Sequence, residues 1–219
     1  LLGACTASAL ALGSRPLTLS PALAARPALL GVRMLCAPAT DNAPAAEAPP
    51  AEPSKFDLLD VRVGKIVEAW EHPDSDKLWC EKIDVGEEEP REIASGLRAY
   101  YSSAEELTGR KVLVVCNLKP AKLGGFPSNG MVLCASSADR STVAFVEPPE
   151  ASEPGERVLC EGVAATNPAS PNQMKKKKIM EAAAEDLRAV DTIATYKGVA
   201  LVTAAGRCTS PSVEAGTIN

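Results

Sequence analysis

Asn117-Leu-Lys-Pro-Ala-Lys-Leu-Gly-Gly-Phe-Pro-Ser-Asn-Gly-Met131 lies between two short apolar runs, Val112-Leu-Val-Val-Cys116 and Met131-Val-Leu-Cys-Ala135. Both runs are aliphatic or β-branched and bounded by Gly and Pro, so both are predicted strands. The stretch between them reads as a loop with two lysines, Lys119 and Lys122, separated only by Pro120 and Ala121. Pro120 fixes its own φ and lacks an amide proton, which stiffens the turn. Gly124-Gly125 and Ser128-Asn129-Gly130 add two reversal signals. Two amines on a stiff loop beside a strand surface suit phosphate. By charge alone, solvated decoration of a hairpin is the better reading.

Upstream, Leu59, Val61, Val63 and Ile66 alternate with polar residues and predict a strand, with a bulge or bend at Gly64. His72-Pro-Asp-Ser-Asp76 is a turn, in which the aspartates make Asx-type bonds rather than a calcium loop. His72, the lone histidine, is read as a turn residue before Pro73. Leu78–Val85 and Arg91–Ala94 are further strands, and Ser102 or Ser103 caps a brief helix over Ala104–Leu107. Thr142–Val146 is one more strand. Short strands with one interposed helix predict an all-β fold, a five-stranded Greek-key barrel of the OB type, over 56–160. Trp70, Trp79 and Phe126 are candidate stacking platforms for bases, although Trp79 alternates in a way that equally places it in the core. Phe126, within the central loop, is the better candidate.

Beyond Glu161 the pattern becomes helical. Ser170-Pro171-Asn172-Gln173 resembles a capping box, and Ile179, Met180, Ala183, Leu187 and Val190 follow on one helical face. Lys175, Lys176, Lys177 and Lys178 fall in the early turns of that predicted helix. There positive charge opposes the helix dipole, so the run serves either phosphate attraction or a solvated face. Val199–Val202 is a strand, so 161–219 is a small α+β extension of the barrel.

Residues 1–40 contain no Asp, Glu or Lys and three arginines, a composition that predicts an organelle transit peptide, plastid before mitochondrion. Residues 41–55 are Pro-, Ala- and Glu-rich and predict a linker. The largely apolar first dozen residues are too few to span a bilayer, so no membrane helix is expected. Seven cysteines without Cys-x-x-Cys spacing, four of them in apolar runs, predict free buried thiols rather than disulfides or zinc. From Phe56 onward there are 19 Lys and Arg against 25 Asp and Glu. An RNA contact on such a body must be a local basic patch, because phosphate neutralisation supplies much of the affinity.

Several segments resemble the tRNA-binding domain family that includes endothelial-monocyte-activating polypeptide II, bacterial tRNA-binding proteins and appended domains of methionyl- and tyrosyl-tRNA synthetases. They are Asn117–Lys122, Ser128–Met131, His72-Pro-Asp-Ser-Asp-Lys-Leu78, Ile83-Asp-Val-Gly86, Ser95-Gly-Leu97 and, within the polypeptide-II branch, Ala194–Val199. The resemblance implies the OB fold and non-catalytic binding of tRNA by shape and phosphate. It assigns that contact to Lys119 and Lys122, supported by Asn117, Ser128, Asn129 and Met131. It also implies a tRNA-presenting cofactor of an aminoacyl-tRNA synthetase that needs no cofactor or metal. The alternatives it leaves open are a protein-interaction or cytokine-like module, or an appended synthetase domain. In the polypeptide-II branch the carboxy-terminal extension mimics a dimer interface, which implies a monomer. Many relatives carry a basic residue near the position of Gly124, and this chain has none there.

Overall fold

The apolar alternation that begins at Leu59 becomes strand β1 (Val61–Glu71) in the computed structural model, which describes residues 54–219. Strands β2 (Trp79–Asp84) and β3 (Arg91–Ser95) follow, then a 3-10 turn over Ala104–Glu106. Next come β4 (Lys111–Val115), β5 (Ala121–Leu123), β6 (Phe126–Ser128), β7 (Met131–Val132), β8 (Cys134–Ser137), β9 (Val143–Phe145) and β10 (Leu159–Cys160). The extension holds helices α1 (Pro171–Lys176) and α2 (Ile179–Ala184). It ends in β11 (Leu187–Val190), β12 (Ile193–Tyr196), β13 (Val199–Thr203), β14 (Gly206–Arg207) and β15 (Ala215–Ile218). The fold is all-β and OB-like. The predicted leader and all but the last two residues of the predicted linker lie outside the described residues.

The first sheet runs β3-β2-β1-β4-β7. The strand after β7 turns into the second sheet, and backbone bonds among Leu113, Leu133 and Val146 knit the two at this corner. Strand β4 explains why its sequence is a continuous apolar run. Val112 and Val114 pack into the barrel core with Ile66, Trp79, Ile83, Ile93 and Phe145. Leu113 and Val115 face the other way, into a second core with Val61, Val63, Leu133, Met174, Ile179, Leu187 and Ile218. A strand buried on both faces has no polar side to alternate with. Barrel and extension therefore share a core, and they also share a sheet: β15 pairs with β8 through Gly216–Ser137, Thr217–Ser136 and Ile218–Ala135.

Four local expectations change. Gly64 is not the bulge, because the register shift falls between Ile66 and Glu68. Gly64 is instead a close approach, where a Cβ would come within 2.6 Å of Ile83 Cγ2 and 2.9 Å of Val114 Cγ2. Ser103 precedes the 3-10 turn but makes no side-chain cap. The single helix predicted after Ser170 is broken. Lys178 takes φ +47° between α1 and α2, and Leu187 and Val190 belong to β11, one buried and one exposed. Lys175, Lys176 and Lys177 consequently sit on the last turn and C-cap of α1, where positive charge complements the carbonyl end of a helix, and Lys178 is the N-cap of the short α2. The expected buried thiols are present: Cys80, Cys116, Cys134, Cys160 and Cys208 are free and buried. Burial pushes Cys116 up to about 11 and Cys160 and Cys208 to about 12.

Candidate nucleic-acid interface

The central stretch is a hairpin rather than a loop. Ala121, Lys122 and Leu123 pair with Ser128, Pro127 and Phe126. Gly124 and Gly125, at φ +59° and +92°, form the two-residue turn that suits the strand twist and needs positive φ at both positions. Side chains alternate across such a ladder, so Lys122 and Pro127 share one face while Leu123 and Phe126 share the other. The face of Phe126 is turned onto the chain. Its ring meets Trp70 edge-on at 5.7 Å and His72 at 6.2 Å. Phe126 therefore seats the hairpin, and the structure does not bring it to the same side as Lys122.

His72 completes that seat and is more than a turn residue. It is buried, and its Nδ1 accepts the Asp74 N–H at 3.0 Å. A Cβ on Gly124 would stand 2.9 Å from its ring, so the absence of a side chain at Gly124 lets the tip of the hairpin lie down on the β1–β2 turn. Trp79 is settled as core: it is 1% exposed, and its indole N–H donates to the Tyr101 carbonyl.

The base of the hairpin is pinned by three polar residues. Asn117 is buried. Its Oδ1 accepts the Asp60 N–H at 3.0 Å, and its Nδ2 donates to the carbonyls of Leu58 and Ala169, both at 2.9 Å. Ser128 is also buried; its Oγ accepts the Ala94 N–H and donates to the Gly130 carbonyl. Asn117 and Ser128 thus position the hairpin from inside, and neither side chain is available to a ligand. Arg91, which sequence reasoning passed over, donates to the carbonyls of Cys116 and Asn129 and so ties the two ends of the stretch together. Glu87 holds the other side of that guanidinium and is itself held below its ordinary range by Arg91. A strand-initial arginine between Pro90 and Glu92 carries no signal for such a role. Asn129 contributes its main chain, donating to the Glu92 carbonyl at 2.8 Å, and Met131 is half-buried at the edge of the second core.

The cations divide in two. Arg62, Lys82, Arg91, Arg98, Arg110, Lys197 and Arg207 are paired with carboxylates. Among the described residues, Lys55, Lys65, Lys77, Lys119, Lys122, Arg140, Lys175 to Lys178 and Arg188 are exposed and form no ion pair; within this set Lys119 with Lys122 and Lys175 to Lys178 form the two lysine groups. Both lysine groups leave the same junction. Asn117 lies two residues before Lys119, and its partner Ala169 directly precedes Ser170, which caps α1 in a full capping box with Gln173. Among the described residues no group of three His, Cys, Asp or Glu could hold a metal, and no helix is long and apolar enough to cross a membrane.

Residues 61–157 match the family model described as "Putative tRNA binding domain". The solved C-terminal domain of Plasmodium vivax p43 is 35% identical, covers 75% of this chain and is itself covered over 98%, with a TM-score of 0.69. The chain belongs to the tRNA-binding domain family. Cytoplasmic tyrosine–tRNA ligase of Xenopus tropicalis is 43% identical over 165 residues, 74% of this chain and 31% of that protein. Aminoacyl tRNA synthase complex-interacting multifunctional protein 1 of Cricetulus griseus is 40% identical over 159 residues, 71% of this chain and 42% of that protein. The chain therefore spans about a third to two fifths of these two curated relatives. The tRNA-binding domain is a binding module without catalysis, and in this member it consists of β1–β9 with the lysine hairpin between β4 and β7.

Proposed function

We propose that this chain is a non-catalytic tRNA-binding protein that presents tRNA to an aminoacyl-tRNA synthetase. The observation that carries this reading is the Asn117–Ala169 junction, from which two groups of unpaired lysines project off an otherwise acidic body. Lys119 and Lys122 are its contacts from the hairpin, and Lys175 to Lys178 add a second row. Asn117, Ser128, Phe126 and the main chain of Asn129 hold them in place. Phosphate contacts of this kind read the shape of a folded RNA rather than its sequence. The synthetase association is supported by the tyrosine–tRNA ligase and the synthase complex-interacting protein among the relatives, and the monomer by the shared core of barrel and extension. A plastid address is supported by the acid-free residues 1–40.

The test is a titration with total tRNA at several salt concentrations. Each lost phosphate contact flattens the slope of log K against log salt by about 0.7 to 0.9. Lys119→Ala with Lys122→Ala is expected to weaken binding and flatten the slope by roughly 1.5 units, with folding intact because both side chains are exposed. Unchanged affinity and slope in that double variant would remove the hairpin from the interface.

A further inference from the structure

The first sheet is not closed into a full barrel by backbone pairing. Its edges are β3 and β7, and the seam between them is bridged near the hairpin by Asn129 N–H to Glu92 and Ala94 N–H to Ser128 Oγ. Beyond those bonds the seam opens into a cleft of about 290 Å³. Leu97, Val132, Val143 and the ring of Tyr100 give it apolar walls, Ser95 a polar floor and Arg140 a rim. The size falls near the lower end of small-ligand sites, roughly 300 Å³ upward.

The floor is built on a buried carboxylate. Ser95 Oγ donates to Glu81 Oε1 at 2.5 Å. Glu81 is 0% exposed, and its Oε2 has no partner. Ser95 pairs with Trp79 in register, so Ser95 and Glu81, two residues along β2, project from the same inward face. A hydroxyl has one proton, and that of Ser95 is committed to Glu81. The lone pairs that remain on Ser95 are acceptors, so a molecule in the cleft meets this floor by donating. A half-satisfied buried carboxylate lowers stability, and its position behind an acceptor floor gives it a use.

The rim has the opposite character. Tyr100 Oη donates to the Arg140 carbonyl, tying together the two loops that border the cleft. Arg140 is exposed, sits at φ +57° and among the described residues makes no ion pair. A free guanidinium beside an apolar slot suits a phosphate next to a planar ring.

We propose that this cleft takes one unstacked nucleotide of the bound RNA, with its base between Leu97, Val132 and Val143, its exocyclic amine donating to Ser95 Oγ and its phosphate toward Arg140. The proposal rests on the tRNA reading and adds base selectivity to it. Adenine, cytosine and guanine carry such an amine, whereas the base donor of uracil is a ring N–H flanked by two carbonyl oxygens, which an acceptor floor disfavours. Single-stranded bases are the usual targets of sequence-reading contacts in RNA. RNA held on the lysine hairpin has this cleft within reach, because Ser128-Asn129-Gly130 ends the hairpin at the head of the seam.

The experiment is NMR titration of the full chain with AMP, CMP, UMP and ribose 5-phosphate, beside tRNA binding. AMP and CMP are expected to shift Gly96, Leu97, Val132 and Val143, and UMP to bind about tenfold more weakly, the size of one hydrogen bond's discrimination. Ser95→Ala should erase that preference and weaken tRNA binding without changing its salt slope. Arg140→Gln, an exposed substitution that spares the fold, should weaken AMP but not adenosine. Lys119→Ala with Lys122→Ala should flatten the tRNA salt slope and leave the AMP shifts in place. Equal binding of UMP and AMP, or equal shifts from ribose 5-phosphate, overturns the proposal. So does a wild type that binds tRNA while AMP shifts nothing in the cleft, and that result leaves the tRNA reading standing. Wild-type protein that binds no tRNA overturns that reading and the proposal with it.

Discussion

The side-chain amide of Asn117 donates to the carbonyl of Ala169 across 52 residues of sequence, at 2.9 Å. The same amide reaches the Leu58 carbonyl, and its oxygen takes the Asp60 N–H, so one side chain joins the start of the barrel, the lysine hairpin and the entrance to α1. Asn117→Ala strands two acceptors and a donor, each costing about 1–3 kcal/mol if fully buried. Part of that is recovered by water at this half-open site, and a loss of about 2 kcal/mol is expected. Asn117→Asp should be worse, because a carboxylate cannot donate to either carbonyl. Urea unfolding with an unchanged slope would show both, and tRNA binding should weaken with loss at both lysine groups. A variant as stable as wild type would remove Asn117 from its bridging role.

Glu81 supplies a pH dependence. Burial pushes its carboxyl up to about 7 from an ordinary 4.5, with the Ser95 bond pulling it partly back. The folded protein therefore holds a proton that the unfolded chain has released between those values. Stability from this group is complete below about 4.5 and is lost as pH rises through about 7. The total is on the order of 3 kcal/mol. Glu81→Gln stays neutral throughout, so its urea midpoint should match wild type near pH 4.5 and exceed it at pH 8. Parallel midpoints across that range would contradict the buried, half-partnered carboxyl.

The hairpin seat predicts a difference between two adjacent glycines. Both adopt positive φ, so alanine at either strains the backbone by roughly 1 kcal/mol. At Gly124 the new methyl also meets the His72 ring at 2.9 Å, whereas at Gly125 nothing lies within 4 Å. Gly124→Ala should thus be the more destabilising, and His72→Ala should relieve the excess in the double variant. Additive effects of the two substitutions would mean that the ring and the turn do not touch.

Where the sequence was readable, one physical rule governed a whole segment. The strand positions followed from apolar runs between turn residues, and the family segments marked the hairpin by its own residues. The failures arose where two rules gave the same pattern. Ile179, Met180, Ala183, Leu187 and Val190 fit a helical face, yet Leu187-Arg-Ala-Val190 also alternates with period two, and pairing with β12 and β15 decides for the strand. Asn117 and Ser128 entered the contact set through the family resemblance, which marks positions and not the direction in which a side chain faces. Only the long-range partners Ala169 and Ala94 show that they face inward. Residues of local pattern were legible; residues whose role is a distant carbonyl or N–H were not.

The last prediction concerns the joint between barrel and extension. Gly216 pairs with Ser137 on one side and Ala189 on the other, and a Cβ there would stand 2.0 Å from the Ser136 carbonyl oxygen. No side chain fits at that separation without moving β8 or β15. Gly216→Val should therefore unzip the β8–β15 ladder and expose Ile218, Ala135 and the apolar face of the second core behind them. Exposed apolar surface of that kind drives association. Light scattering at micromolar concentration is expected to show a monomer for the wild type and dimers or larger species for Gly216→Val, with a lowered urea midpoint. The barrel core around Trp79 and Ile83 meets this joint at Cys134, whose backbone pairs with Asn219, and Trp79 itself lies on β2 away from the ladder, so Trp79 fluorescence should remain that of a buried indole in the variant. A monomeric Gly216→Val protein with wild-type stability would show that the extension is held elsewhere than at this ladder.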